Sequence, residues 1–436
     1  MNTKNAKLII FILVIFTFQD GLGLRAENWG GIGTKTFGFY GLIQILLTIF
    51  VFAWLLLNNI NLISDTKNLL FRPSMFIFAL FLLAIIEGII QGLLGGGTGF
   101  LMNIFSNLFK TRYYLFFFII VSFVKNYNDI LLYFKTVYLL AIVSAVILLF
   151  IIASGKQTYI IAPEYSNMAG REFRVITPTS SLLALGFFIA FTDIMLKKKN
   201  NFISLIILAA SVLIQMHRSL LLALSLTLII YFVSISRLSS KNFVKNLIFV
   251  FIFLALGVKI LSTLSLSTDA IVQTFISSQD ELSAKQGNIW VRIFLMLNSW
   301  SYVIKNYYFI GIGFDWVKEY DVIDYLTNQF VKTPTFDNSY NNIIIVFGLL
   351  GLAVYGYFFY KLIRVLKKLI KDGYDINIKA MATTLYLMVF YSLIVGTGTD
   401  IVLINNTTII TIIVWGLSFV LETINRKLIK HSINEL

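Results

Sequence analysis

The sequence predicts an all-α fold, a polytopic membrane bundle of about twelve transmembrane helices with one long extracytoplasmic loop. Composition is the first of three observations behind this. Hydrophobic residues make up 58% of the chain and charged residues 13%, with mean hydropathy +0.85. Apolar runs near twenty residues recur, the length that crosses a hydrocarbon core of about 30 Å. Second, the alternation of apolar and polar residues expected of a membrane β-barrel is absent, so the spans are helices. Third, lysine and arginine collect in alternate short loops, as they do on the cytoplasmic side of a membrane. The net charge of +14 has this same cause, and no nucleic-acid partner is expected. With no cysteine and only His217 and His431, neither disulfides nor a thiolate or histidine metal centre is expected, and no cofactor is called for.

Taken in order, Lys4 and Lys7 precede a short apolar run from Leu8 to Phe18. No small-residue cleavage site follows, only Gln19-Asp20-Gly21, so the run reads as a retained first helix. Further spans are expected at 38–57, 75–94, 113–124 and 130–153. Gly95-Gly96-Gly97-Thr98-Gly99 cannot hold a helix and reads as an outer turn. After a polar loop at 154–178 come spans at 179–196, 202–216, 219–236 and 243–262, then 341–363, 379–397 and 402–422. The chain thus divides into an N-terminal bundle of about nine helices, 1–262, a partly helical loop, 263–340, and C-terminal helices with a tail, 341–436. Lys67 and Arg72, Lys125, Lys197 to Lys199, Arg237 to Lys245, Lys361 to Lys371 and the tail then fall on one side. Both termini are expected in the cytoplasm and the 263–340 loop outside.

Few residues outside the apolar spans could carry chemistry. Arg218, in Gln215-Met216-His217-Arg218-Ser219, is either an interfacial anchor or a ligand for a diphosphate, which guanidinium binds in a bidentate fashion. Arg171 and Arg174 flank Glu172, and are either a solvated charged loop or further anion ligands. Arg292 lies on the run Gly287 to Tyr307, where Trp290, Phe294, Leu297 and Ile304 recur at helical spacing. An amphipathic helix at the outer surface follows, with Arg292 on or beside its apolar face. The loop's aromatics, Trp290 and Tyr340 among them, are either an interfacial belt or platforms for sugar rings. Asp337, followed by Asn338, is suited both to a general base with a raised pKa and to a helix N-cap. Glu319-Tyr320-Asp321 reads as a solvated acidic run rather than a metal pair. Glu87 and Gln91, one turn apart, are expected to face the bundle interior. Asp400 sits in an outer turn. No Walker loop, dinucleotide fingerprint or hydrolase elbow is present.

Three features together carry a resemblance. Arg174-Val175-Ile176-Thr177-Pro178 places an arginine before a span. Arg218-Ser219 opens the Leu/Ala-rich run Leu220 to Leu224. The long loop holds Trp290, Arg292, Gly311-Ile312-Gly313 and Asn338 ahead of Gly348-Leu349-Leu350-Gly351. Over residues 170–365 the chain resembles the O-antigen ligase/polymerase superfamily of bacterial membrane proteins. Ligases of that family carry His-Asn where this chain has Asp337-Asn338, a form similar to Wzy-type polymerases of O-antigen or capsular repeat units. The resemblance implies a GT-C-like, inverting, metal-independent glycosyltransferase at the outer face of the cytoplasmic membrane. It implies undecaprenyl-diphosphate-linked oligosaccharide as donor and acceptor, surrounding membrane lipid, and a separate chain-length regulator as a protein partner. Arg218, Arg292 and Arg174, with Arg171 nearby, would bind the diphosphate. Asp337 would act on the attacking hydroxyl, and Asn338, Tyr340 and Trp290 would contact substrate. Two rivals share the architecture: a ligase moving finished glycan to a lipid core, and a non-enzymatic flippase of lipid-linked oligosaccharide. No motif of a peptidoglycan-type polymerase can be matched residue by residue.

Overall fold

The structure, a computed structural model, describes residues 67–94, parts of 114–126, 127–153, 180–197, 201–213, 218–234, parts of 296–313, 320–324, 329–333, 339–397 and 408–434. Its helices are α1 (Phe71–Leu94), α2 (Tyr127–Ala153), α3 (Ser180–Lys197), α4 (Phe202–Leu213) and α5 (Arg218–Ser234). After a hairpin of β1 (Tyr320–Asp324) and β2 (Gln329–Thr333) come α6 (Ser339–Asp372), α7 (Ile376–Val395) and α8 (Thr408–Asn434). Among the described residues, four helical stretches are long and apolar enough to cross a membrane: Phe71–Leu94, Tyr127–Phe150, Ser339–Asp372 and Ile376–Val395. The expected first helix, the spans at 38–57 and 243–262, and half of 113–124 lie outside the described residues.

Side-chain contacts fix the direction of each helix. Trp415 Nε1 on α8 donates to Ser74 Oγ on α1 at 2.9 Å, and Asn68, just before α1, donates to Phe419 O at 2.8 Å. These helices are therefore antiparallel. On α6, Phe347 meets Phe81 and Tyr357 meets Phe76, so α6 also runs against α1. Thr192 and Thr384 share a hydrogen bond of 2.8 Å, and Phe188 meets Tyr391, which sets α3 against α7. At the foot of α3, Asn201 donates to Asp193 at 3.3 Å, and α4 turns back from there. Residues 214–217 alone separate α4 from α5, whose Tyr231 packs on Phe191 of α3. The core is built around α3 and α7. Every residue from Ser181 to Asp193 is buried, and α7 packs against α3, α5, α6 and α8. Leucines at the far end of α1 face outward, Leu94 being 80% exposed, as lipid-facing residues do.

One end of this bundle is basic. It collects Lys67 and Arg72 before and on α1, Lys125 before α2, Lys197 on α3, Lys379 on α7, and Lys427 and Lys430 on α8. It also receives the last turns of α6. Leu362, Val365, Leu366 and Leu369 are buried there while Arg364, Lys367, Lys368 and Lys371 are turned away from that face. That helical spacing continues past the apolar span, which is why α6 ends at Asp372 rather than at the expected 363. Likewise α8 (Thr408–Asn434) runs on to Asn434 rather than ending at the expected 422, because Leu421, Ile424 and Leu428 prolong its packed stripe.

Among the described residues the helical fold carries one short hairpin, in the loop expected to be only partly helical: 320–324 and 329–333 pair as antiparallel strands with Val322 opposite Val331 and Ile323 opposite Phe330. Branched and aromatic residues in short runs favour the pleated form. Described residues between 296 and 305 are helical, with one side packed on the protein and Leu297 and Ile304 of the marked apolar face turned outward, while Trp290 and Phe294 lie outside the described residues. Val303 is fully buried and Trp300 packs on the core, while Leu297 is 54% and Ile304 41% exposed.

Candidate functional site

At the end opposite the basic one, α6 is broken. Gly348 has φ 65 and ψ −159 inside an otherwise helical run. In a continuous helix the carbonyls of Ile345 and Val346 would accept from Leu349 and Leu350. Here they accept instead from the loop, Ile312 N at 2.8 Å and Gly313 N at 3.0 Å, while Leu350 N donates to Phe309 O at 3.1 Å. Backbone groups left open inside apolar surroundings cost several kcal/mol each, so about three such groups could not stay unpaired. The loop backbone substitutes for one missing helical turn.

Only glycine permits this closure. A Cβ on Gly348 would stand 2.2 Å from Phe309 O, and one on Gly311 2.5 Å from Gly348 N. Gly311 and Gly313 both have positive φ, at 79 and 73, a region that costs residues with a side chain about 1–2 kcal/mol. Gly313 also lies on α1: its Cβ would meet Ala84 O and Gly88 N at 2.6 Å and the Cβ of Glu87 at 3.0 Å. Loop, α1 and broken α6 thus meet at one point. Along the helix axis Gly88 is about 24 Å from Arg72, and Gly348 about 20 Å from Lys361, at 1.5 Å per residue. Cationic side chains mark where helices leave hydrocarbon. The junction therefore lies within an apolar thickness of about 30 Å, in the part remote from the basic end.

The start of α6 is fixed to the end of α7 above the junction. Ser339 N donates to Gly396 O at 3.0 Å, and the Tyr340 hydroxyl donates to Leu393 O at 2.7 Å. Ser339, Asn341 and Asn342 are buried, giving this turn a polar character unusual for the middle of a packed bundle.

Of the residues singled out in the sequence, the structure brings three features to this end. Gly311-Ile312-Gly313 and Gly348 are in direct contact. Tyr340 stands at the start of α6, but its hydroxyl bonds Leu393 O, a structural task. Arg218 opens α5. Ser234, at the other end of α5, accepts from Tyr386 OH at 3.1 Å, so the Arg218 backbone lies about 24 Å further from the basic end. Trp290, Arg292, Arg171, Arg174, Asp337 and Asn338 lie outside the described residues; Asn338 immediately precedes Ser339 in the chain. Sequence reasoning set Glu87 toward the interior but missed its place beside Gly313. The available signal was Gly88 directly after it, since paired glycines allow two backbones to approach closely. In comparisons with known proteins, the chain matches no family model and no curated relative.

Proposed function

We propose that this chain is a membrane glycosyltransferase that polymerises undecaprenyl-diphosphate-linked oligosaccharide repeat units at the outer face of the cytoplasmic membrane. The basic end of the bundle is then cytoplasmic, and the glycine junction belongs to the outer half. The observation that carries the reading is the closure of α6 by Phe309–Gly313. It pins the outer loop to the same helix whose start is preceded by Asp337-Asn338, at the end of the bundle where Arg218 opens α5. The loop motif, the start of α6 that Asp337-Asn338 precedes in the chain, and the start of α5 at Arg218 share one end of the bundle.

The chemistry follows from those residue types. An acceptor hydroxyl attacks the anomeric carbon of the donor, its proton going to the Asp337 carboxylate. The bond from that carbon to the diphosphate oxygen breaks, and the electron pair leaves with the undecaprenyl diphosphate. Arg218, Arg292 and Arg174 supply fixed positive charge where the leaving group gains negative charge, and such preorganised charge is what accelerates a displacement of this kind most. A single displacement inverts the anomeric centre. Regrowth of a glycan ladder tests this directly. A strain lacking the gene should carry a surface core bearing one repeat unit, and the restored gene should return the ladder. Complete loss of surface glycan, with long polymer held on undecaprenyl diphosphate, would make the chain a ligase. Repeat units trapped at the cytoplasmic face would make it a flippase.

A further inference from the structure

The outward side of α6 changes character once along its length. Leu349, Ala353, Gly356 and Tyr360 are exposed, and their spacing of four, three and four residues keeps them on one stripe. Arg364, Lys367 and Lys371 continue that spacing and are exposed too. The opposite side stays packed throughout, from Tyr355 and Phe358 to Leu362, Leu366 and Leu369. So α6 does not leave the bundle where its cations begin, and the apolar outward stripe becomes a basic one without turning away. Tyr357 and Tyr360 stand at the change, as tyrosines do at the edge of hydrocarbon.

Position and charge both point this stripe at phosphate. At 1.5 Å per residue Arg364 is about 6 Å beyond Tyr360 and Lys367 about 10 Å, against a headgroup layer of about 5–8 Å on each side of the hydrocarbon. The Cα–Cβ bonds of a helix tilt toward its N-terminus. Because α6 runs toward the basic end, these long side chains lean back to the headgroups. The cations Lys361, Arg364, Lys367, Lys368 and Lys371 share their helix with a single acid, Asp372 at its end. Carboxylates on neighbouring elements are engaged elsewhere: Asp375 with Tyr127 and Ile378 N, Glu422 with Arg426, and Asp193 with Lys197. Like charges three and four residues apart on a helix repel, and an anion between them removes that cost.

A second helix brings a cation to the same level. Phe76 of α1 meets Tyr357, and Arg72 and Lys361 stand one turn further toward the basic end on the two antiparallel helices. The Lys361 ammonium lies over the Tyr357 ring, 5.4 Å from its centre. On the hydrocarbon side of these residues there is room, since a Cβ on Gly356 would meet nothing within 4 Å.

We propose that this stripe binds an anionic diacyl phospholipid of the leaflet at the basic end. Its phosphate is held by Lys361 and Arg364 with Arg72 beside them, and an acyl chain runs over Gly356 toward Leu349. Such a lipid braces α6 against α1 from outside the bundle, whatever reaction the chain carries out.

The test places the full chain in nanodiscs of phosphatidylcholine alone or mixed with phosphatidylglycerol. Lipid retained on the protein is counted by intact mass, and the thermal melt is measured in each disc. Wild type is expected to retain phosphatidylglycerol over phosphatidylcholine and to melt higher where it is present. Lys361→Gln with Arg364→Gln should cut that preference about thirtyfold, at about fivefold for each cation near the surface, and leave the melt in phosphatidylcholine alone in place. Gly356→Leu should lower retention with every cation kept. Lys427→Gln with Lys430→Gln removes equal charge from α8 at the same end and should leave the preference as it is. A wild type that retains both lipids alike, or retention unchanged in the α6 variants, overturns the site. So does an equal loss in the α8 pair, because the field of the whole end would then be responsible. An α6 double variant already weakened in phosphatidylcholine overturns it as well, making those cations structural. Inorganic phosphate that raises the melt as phosphatidylglycerol does would leave an anion site without a lipid. A dimer by mass with no retained lipid would give the stripe to a second copy. Either result overturns the proposal.

Discussion

The two ends of the bundle are held together by different kinds of bond. At the basic end the ties are side chains. Tyr127 donates to Asp375, Asn377 donates to Tyr127 OH at 3.0 Å, and Asp375 caps α7 by accepting from Ile378 N at 2.7 Å. Asn68 reaches Phe419 O and Thr423 Oγ1, and Asn425 accepts from Tyr374 N at 2.8 Å. At the glycine end, among the described residues, there are ties from backbone to backbone, from Phe309–Gly313 to Ile345, Val346 and Leu350, and from Ser339 to Gly396. A side-chain tie can be removed singly, with a cost near that of one hydrogen bond. A backbone tie depends on chain path, so it survives most substitutions and fails altogether where a glycine is replaced.

The largest effect should come from Gly348→Ala. It forces a Cβ to within 2.2 Å of Phe309 O and sets the closing bonds against helix continuity, at a cost of about 4 kcal/mol or more. The measure is the amount of folded protein in membranes and its melt in detergent. A melt like that of wild type would show that the closure contributes nothing. Next comes Arg218→Ala, which should cut polymer about a hundredfold, as removal of a transition-state charge does, while the melt stays put. A melt that falls with activity would return Arg218 to the role of an interfacial anchor. Arg292→Ala should likewise abolish polymer while the protein stays in the membrane, and normal chains in that variant would remove Arg292 from the mechanism.

At the other end, Asp375→Ala removes a cap and the partner of Tyr127, for about 1–2 kcal/mol of stability. Polymer length on a gel should not change, because the basic end carries none of the proposed chemistry. Tyr340→Phe is the smallest, about 1 kcal/mol for one bond to Leu393 O. It separates the two uses proposed for Tyr340. A fall in activity beyond the small change in melt would restore it as a substrate contact.

Most of the described helices are legible in the sequence because apolar runs longer than about eighteen residues leave few alternatives. The expected 75–94 is Phe71–Leu94, and 179–196 is Ser180–Lys197. Helix ends are less legible where a polar residue belongs to the helix. Asp375, Asn377 and Lys379 resemble a loop, yet Asp375 is the N-cap of α7. The hairpin escapes a search for helical spacing, because Val322, Ile323 and Val331 find their partners across strands and not along one face. At the junction the residues are visible but the reason is not. Gly311, Gly313 and Gly348 stand out as glycines, but a hydrogen bond between main chains leaves no other trace in residue type. Glu87 is harder still, since its meeting with Gly313 joins positions far apart in the chain.

The junction has a consequence for how the outer loop can change. Gly313 N is tied to Val346 O, and Ser339 N to Gly396 O, so residues 314–338 form a tether clamped at both feet. Lengthening a tether whose feet are fixed costs little, about 0.6 kcal/mol for each doubling. New turns or strands grafted between the feet would leave the bundle as it is. The same insertion between Phe309 and Gly313 would unclamp α6. Under the proposed function, variation in which sugars are accepted has a permissive place to accumulate between these feet.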